Sequence, residues 1–133
     1  MIESTSQAVG VLKDHKLSEF EREQGIRYIQ NHPSPEGAEA LVAALEDSDF
    51  GVRWTAAAAL ADMGEAGMPA LLRALSTPGH DDQLLREGAR HVLHYNTSAK
   101  VSSRTGELLK ALKGPGAETE TMLAASRILR EWD

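Results

Sequence analysis

The amino-acid sequence predicts an all-α fold, an α-solenoid of about four antiparallel helical hairpins with eight helices in total. Apolar residues recur at spacings of three and four along most of the chain, as they do on one face of an α-helix. No stretch alternates apolar and polar residues with a period of two, so the pattern does not indicate β-strands. One helical pattern also begins again near residues 18, 49, 82 and 118, a spacing typical of helical repeat arrays.

The most complete copy of this pattern lies in residues 49–75. Asp49 has a side chain suited to cap the N-terminus of a helix. Apolar residues follow it on one helical face, at positions 52, 56, 59, 60 and 63. Gly64 then ends the helix, and the apolar residues of 65–75 form one face of the next helix. The segment therefore predicts the helical unit that the rest of the chain repeats.

The other copies align with this one when residues 18–32, 82–96 and 118–132 are laid over residues 49–63. One column then holds Arg22, Arg53, Arg86 and Met122, and a second column holds the small residues Gly25, Ala56, Ala89 and Ala125. An upstream apolar-faced helix precedes each copy, connected by turns such as 76–81 and 113–117. The predicted repeats cover about residues 5–32, 36–64, 65–97 and 101–133 of a single domain, 1–133, with Trp132 in its core.

The composition excludes several kinds of protein and site. A chain of 133 residues, 41% hydrophobic and 26% charged, fits one globular domain. The net charge of −6 disfavours nonspecific attraction to nucleic-acid phosphates, and the absence of cysteine excludes disulfides and thiolate metal ligands. No apolar run approaches the ~20 residues of a membrane-spanning helix, and residues 1–7 lack a signal pattern. We therefore expect a cytoplasmic protein without a membrane partner.

The segment Asp49-x-x-Val52-Arg53-x-x-Ala56-Ala57-x-Ala59-Leu60-x-x-Met63-Gly64 resembles the signature of HEAT repeats. It is most similar to the short variant found in phycobilisome-lyase-like proteins. The resemblance implies a hydrogen-bonded ladder along the stack, between the Asp of each turn and the Arg of each second helix. The ladder would bring Asp49 and Asp82 near Arg53 and Arg86, with Arg22 joining it and Met122 ending it.

The concave side of such an array, lined by the second helices, is where we expect a partner to bind. The outward positions, counted from the arginine column, are Glu23, Arg27, Gln30, Trp54, Ala58, Ala61, Glu87, His91, His94, Leu123, Arg127 and Arg130. The predicted partner-binding residues among them are Glu23, Arg27, Trp54, Ala58, Glu87, His91, His94 and Arg127. An exposed Trp54 beside small side chains can anchor a partner side chain. The alternative is that Trp54 packs between adjacent second helices and stiffens the stack.

Glu87, His91 and His94 share one helical face by their i, i+4, i+7 spacing and could present three metal ligands. The alternative is a solvated polar face, because no neighbouring repeat offers an obvious fourth ligand beyond Glu23. No pair of carboxylates is fixed by its spacing for general acid–base work, and no glycine loop is suited to cradle a phosphate. We therefore predict no catalytic residue, no metal and no cofactor.

Three functions of different classes are compatible with such a surface. The leading hypothesis is a noncatalytic interaction module or scaffold that binds a protein partner on the concave side. The resemblance to phycobilisome-lyase-like proteins implies an alternative, an accessory protein that handles a bilin or its carrier protein. The third is nucleic-acid binding, which the negative net charge and the lack of a basic stripe disfavour. The end repeats, including Leu129 and Trp132, also offer a surface for homo-oligomers.

Overall fold

A computed structural model describes residues 1–77, 82–114 and 117–132. Residues 78–81, 115, 116 and 133 lie outside this description, and with them parts of the predicted turns 76–81 and 113–117. The described residues form nine α-helices, one short 3-10 helix (Gly64–Gly67) and no strand. The α-helices are α1 (Thr5–Lys13), α2 (Glu19–Asn31), α3 (Pro35–Ala44), α4 (Phe50–Asp62), α5 (Met68–Ser76), α6 (Gln83–Tyr95), α7 (Ala99–Arg104), α8 (Gly106–Lys113) and α9 (Ala117–Arg130). None of the helices in these ranges has the length and apolar character needed to cross a membrane.

The helices form two layers, which confirms the all-α solenoid predicted from the sequence. α1, α3 and α5 pack side by side in the first layer, and α2, α4 and α6 pack side by side in the second layer. Their apolar faces meet in one continuous core between the layers. The two helices of each hairpin pack on each other, and successive hairpins pack side by side, as expected for a stacked array.

The second-layer helices begin where the sequence places good N-caps. The side chain of Ser18 accepts a hydrogen bond from the N–H of Glu21, and the carboxylate of Glu21 accepts one from the N–H of Ser18. Asp49 accepts bonds from two N–H groups in the first turn of α4, and Asp82 does the same for α6. These caps satisfy donors that would otherwise lack a partner, and they fix the register of each helix.

The column of small residues lets the layers approach closely. Gly25, Ala56, Ala89 and Ala125 are all buried. A Cβ atom placed on Gly25 would lie only 2.7 Å from the carbonyl oxygen of Ala8 on α1. Since no side chain fits in that space, α1 and α2 need a glycine at this contact.

The prediction that Asp49 pairs with the arginine column is wrong. Asp47, rather than Asp49, accepts hydrogen bonds from Arg22, with Nη2–Oδ2 and Nη1–Oδ1 distances of 2.5 and 3.2 Å. Nε of Arg22 also donates to the carbonyl oxygen of Leu12, and Nη1 of Arg53 donates to the carbonyl oxygen of Asp47, both at 2.8 Å. Asp49 and Asp82 are instead occupied as N-caps. In the third copy the position equivalent to Asp47 falls within residues 78–81, outside the described ranges.

Asp47 carries its negative charge in a largely buried position, with its side chain 7% exposed. Burial alone would raise the pKa of its carboxyl group. The hydrogen bonds from Arg22 and from the N–H of Asp49, together with the charges of Arg22 and His15, outweigh burial and hold the pKa below its usual value. The ionised pair therefore stabilises the fold above the usual pKa of Asp, and that contribution is lost as the pH falls towards the folded-state pKa.

The fourth hairpin departs from the predicted arrangement. The prediction placed its first helix in the first layer and its second helix in the second layer. Instead α8 packs on α6 and α9 packs on α5, so the two helices have exchanged layers. The short helix α7, absent from the eight-helix prediction, packs against the 3-10 helix and redirects the chain before α8. Asn96 and Thr97 fix this path through two hydrogen bonds of 3.2 Å. Nδ2 of Asn96 donates to the carbonyl oxygen of Gly64, and the N–H of Thr97 donates to the carbonyl oxygen of Ala61.

The exchange changes which predicted surface residues share a face. Ala61 is not an outward position, because the chain after α6 covers it and leaves it 2% exposed. Leu123, Arg127 and Arg130 lie on α9, which packs on α5, and so they are not part of the second-layer surface. Trp132 is buried as predicted, with Nζ of Lys100 4.7 Å from the centroid of its ring.

We predict that Asp47→Asn destabilises the fold much more than Asp49→Asn. The first change leaves the buried charge of Arg22 without its counterion, at a cost of about 3 kcal/mol. The second keeps a side chain that caps helices well, so its cost is a few tenths of a kcal/mol. Urea unfolding of both variants measures the difference, and equal losses would contradict the role given to Asp47. Asp47→Asn should also lose less stability than the wild type when the pH falls below about 4.

Two buried threonines give a matched test of the core. The hydroxyl of Thr105 donates to the carbonyl oxygen of Val101 at 2.7 Å, whereas the hydroxyl of Thr121 has no hydrogen-bond partner among the described residues. Both side chains are almost fully buried. We expect Thr105→Val to cost about 1 kcal/mol in free energy of unfolding, and Thr121→Val to be neutral or stabilising by up to about 1 kcal/mol. Thermal or urea unfolding checks both, and a clear loss for Thr121→Val would show that its hydroxyl is bonded.

Candidate functional site

Four aromatic rings form a row across the second layer, and we call Phe50, Trp54, His91 and Tyr95 the aromatic row. Neighbouring ring centroids are 5.8 Å apart for Phe50 and Trp54, 5.0 Å for Trp54 and His91, and 4.7 Å for His91 and Tyr95. The first two residues lie one turn apart on α4 and the last two one turn apart on α6. The row therefore links two adjacent helices of the second layer through ring contacts of favourable geometry.

Three rings of the aromatic row remain open to solvent. Phe50, Trp54 and Tyr95 are 53%, 43% and 61% exposed. Trp54 thus contacts the neighbouring helix, as the packing alternative requires, and also presents free ring surface, as the anchoring hypothesis requires. Contiguous exposed rings of this kind are typical of binding surfaces.

An open apolar cavity of about 270 Å³ lies beside Trp54 between α4 and α6. It is lined by Leu45, Phe50, Trp54, Ala57, Leu84 and Gly88, together with the charged residues Arg53 and Glu87. The cavity is slightly smaller than the roughly 300–1,000 Å³ of typical small-molecule sites. Its size and lining suit an apolar side chain presented by a larger partner.

A second open cavity, of about 430 Å³, shares Trp54 and Glu87 with the first. Its other lining residues are Arg90, His91, His94, Tyr95 and Lys113. Arg90 comes from α6, and Lys113 comes from the last turn of α8, which packs on α6 because of the exchanged hairpin. Two adjoining cavities of different chemistry therefore meet at Trp54, one apolar and one rich in cationic and titratable groups.

His91 is half-buried within the aromatic row. Burial lowers the pKa of its imidazole, and the nearby charge of His94 lowers it further. The folded protein therefore disfavours a proton on His91, whereas the unfolded chain binds one with the usual pKa of about 6.5. The contribution of His91 to stability is consequently present above that pH and decreases as the pH falls below it.

The surface beside the start of α4 is acidic. The carboxylate of Glu19 lies over Gly51, so close that a Cβ atom there would collide with it. A hydrogen bond to Asp49 and the charge of Asp49 raise the pKa of Glu19, with smaller contributions from burial and from the charge of Glu23. The second layer thus has an acidic end at α2 and a cationic end at α6 and α8.

The structure brings together some of the predicted binding residues and separates others. Trp54, Glu87, His91 and His94 line one continuous surface. Ala58 is exposed on α4 but lines neither cavity, and Glu23 lies on α2 near Glu19. Arg27 lines a separate cavity, of about 800 Å³, with residues of α1, α2 and the N-terminus. Arg127 lies on α9, where it forms an ion pair with Glu107.

The structure does not assemble the metal site considered for Glu87, His91 and His94. Across residues 1–77, 82–114 and 117–132, no three His, Cys, Asp or Glu side chains are gathered in a way that could hold a metal ion. The side chain of Glu87 instead accepts a hydrogen bond from Nε2 of Gln83 at 3.2 Å.

Several residues of this surface were missed by the sequence analysis. Phe50 precedes Trp54 by four positions, and Tyr95 follows His91 by four, so the i, i+4 rule could have found both. Arg90 and Lys113 are 23 positions apart on different helices, and only the packing of α8 on α6 brings them to one cavity.

We predict that His91 titrates below its usual pKa of about 6.5 and that His94→Gln raises its midpoint. The substitution removes the like charge but leaves the burial of His91 intact. NMR detection of the imidazole protons measures the midpoint, and His32→Gln, on the distant end of α2, serves as the control. A wild-type midpoint at or above 6.5, or one unmoved by His94→Gln, would contradict the environment described for His91.

Comparison with known proteins agrees with this architecture. A family profile described as HEAT repeats matches residues 14–94, more than half of the chain. The match ends near the end of α6, before the hairpin whose helices exchange layers. Searches of curated proteins and of solved structures found no match. The chain belongs to the HEAT-repeat family.

Proposed function

We propose that this protein is a noncatalytic interaction module that binds a protein partner on the second-layer surface between α4 and α6. The observation that supports this most strongly is the aromatic row, whose exposed rings adjoin an open apolar cavity. Membership of the HEAT-repeat family agrees with the proposal, because HEAT arrays commonly act as protein-interaction scaffolds.

The surface is suited to bind without large rearrangement. Its side chains project from two packed helices, so little backbone order has to be gained when a partner arrives. Trp and Tyr also bury much area for few rotatable bonds, which explains why such residues often dominate the energy of an interface. Trp54 lies where the two cavities meet, and we assign it the role of the central anchor.

We predict that Trp54→Ala weakens partner binding by about 30-fold or more, the effect of losing an interface hot spot. Because Trp54 is 43% exposed, the variant should keep the wild-type circular dichroism spectrum and unfold cooperatively. Leu123→Ala is the matched control, since Leu123 is 61% exposed but lies on α9, away from the aromatic row. The wild type, Trp54→Ala and Leu123→Ala are each immobilised and used to capture proteins from a lysate of the native organism. The affinity of each captured protein is then measured by titration.

At least one protein should be retained by the wild type and by Leu123→Ala but lost with Trp54→Ala. A set of captured proteins that does not depend on Trp54 would contradict the proposed surface. Recovery of nucleic acid or of a bilin as the Trp54-dependent ligand would contradict the proposed class of partner.

A further inference from the structure

We propose that the partner segment carries an apolar side chain and a carboxylate two or three residues apart, which occupy the two cavities beside Trp54. This inference rests on the proposed function and adds the chemistry of the partner. It identifies the ligand as an acidic, apolar stretch of protein, with Asp or Glu as the source of the carboxylate.

The spacing follows from the positions of the cavities along α6. Leu84 and Gly88 line the apolar cavity, while Arg90 and His94 line the second one. The centres of these two pairs are six residues apart on the helix, a rise of about 9 Å. An extended peptide covers that distance in two or three residues. One short segment can therefore fill both cavities at once.

The charges of the second cavity favour an anion. Arg90 and Lys113 form no hydrogen bond or ion pair with any residue in the described part of the chain. Among the described lining residues Glu87 supplies the only carboxylate, which accepts a hydrogen bond from Gln83, one turn towards the apolar cavity. His91 and His94 complete the lining with imidazoles, whose ring N–H groups can donate a hydrogen bond to a carboxylate.

The balance of fixed charges fits a singly charged group. With neutral histidines, Arg90 and Lys113 exceed Glu87 by one positive charge. A carboxylate matches that excess, and the planar guanidinium of Arg90 can bind it through two parallel hydrogen bonds. A doubly charged phosphoryl group would exceed the available charge and would lie beside Glu87, which favours Asp or Glu over a phosphorylated residue.

The test selects ligands from a phage-displayed library of random dodecapeptides on the immobilised wild-type chain. Selected peptides are then titrated by fluorescence anisotropy against Trp54→Ala and against the double variant Arg90→Glu/Lys113→Glu. The matched control is Lys110→Glu/Arg130→Glu, which changes the net charge equally at exposed positions of α8 and α9 outside this cavity. A peptide with its acidic residue changed to Gln, and one with phosphoserine there, complete the set.

The selected peptides should share an apolar residue and an Asp or Glu two or three positions away. Arg90→Glu/Lys113→Glu and the change to Gln should each weaken binding about tenfold, and the control variant less than about twofold. Three results would contradict the proposed carboxylate but not the proposed surface. They are Trp54-dependent peptides without acidic residues, tighter binding of the phosphoserine peptide, and equal losses of affinity for Arg90→Glu/Lys113→Glu and for the control double variant. A selection that yields no Trp54-dependent peptide would overturn both.

Discussion

The carboxylate of Asp47 joins the segments that determine where α4 begins. It binds the guanidinium of Arg22 from α2 and the N–H of Asp49, while the Asp47 carbonyl oxygen binds Arg53 on α4. The first two turns of α4 carry Phe50 and Trp54, so this turn also sets the position of the aromatic row. Because both members of the Arg22–Asp47 pair are buried, neither can be left alone without a large desolvation cost. The pair therefore fixes how α2 meets α4, whatever its net contribution to stability.

Local patterns predicted most of the fold, since they depend on residues close in sequence. The small residues Gly25, Ala56 and Ala89 and the caps Ser18, Asp49 and Asp82 all lie where spacing places them. The ladder could not be assigned in this way, because the turn contains two aspartates and only tertiary contact selects Asp47 for Arg22. The sequence likewise could not predict which layer α8 and α9 occupy, because both helices have apolar faces that suit either layer.

The candidate surface was predictable to a similar degree. Trp54, Glu87, His91 and His94 follow from helical periodicity within α4 and α6, and they do share one surface. The same repeat register, extended to the fourth copy, assigned Arg127 to this surface. That assignment is wrong because α9 packs on α5. Lys113 takes a place there instead, because α8 brings its last turn to the end of the aromatic row. The exchanged hairpin thus changes which charged residues line the surface and leaves its aromatic centre in the predicted place.

The exchanged hairpin links the fold to the binding proposals, and nuclear Overhauser contacts in the isotopically labelled chain test it most directly. The exchange predicts contacts between α8 and α6 and contacts between α9 and α5. A regular fourth hairpin would instead give contacts between α9 and α6 and between α8 and α5. That result would contradict the arrangement, because it would remove Lys113 from the cavity and place Arg127 on the second-layer surface.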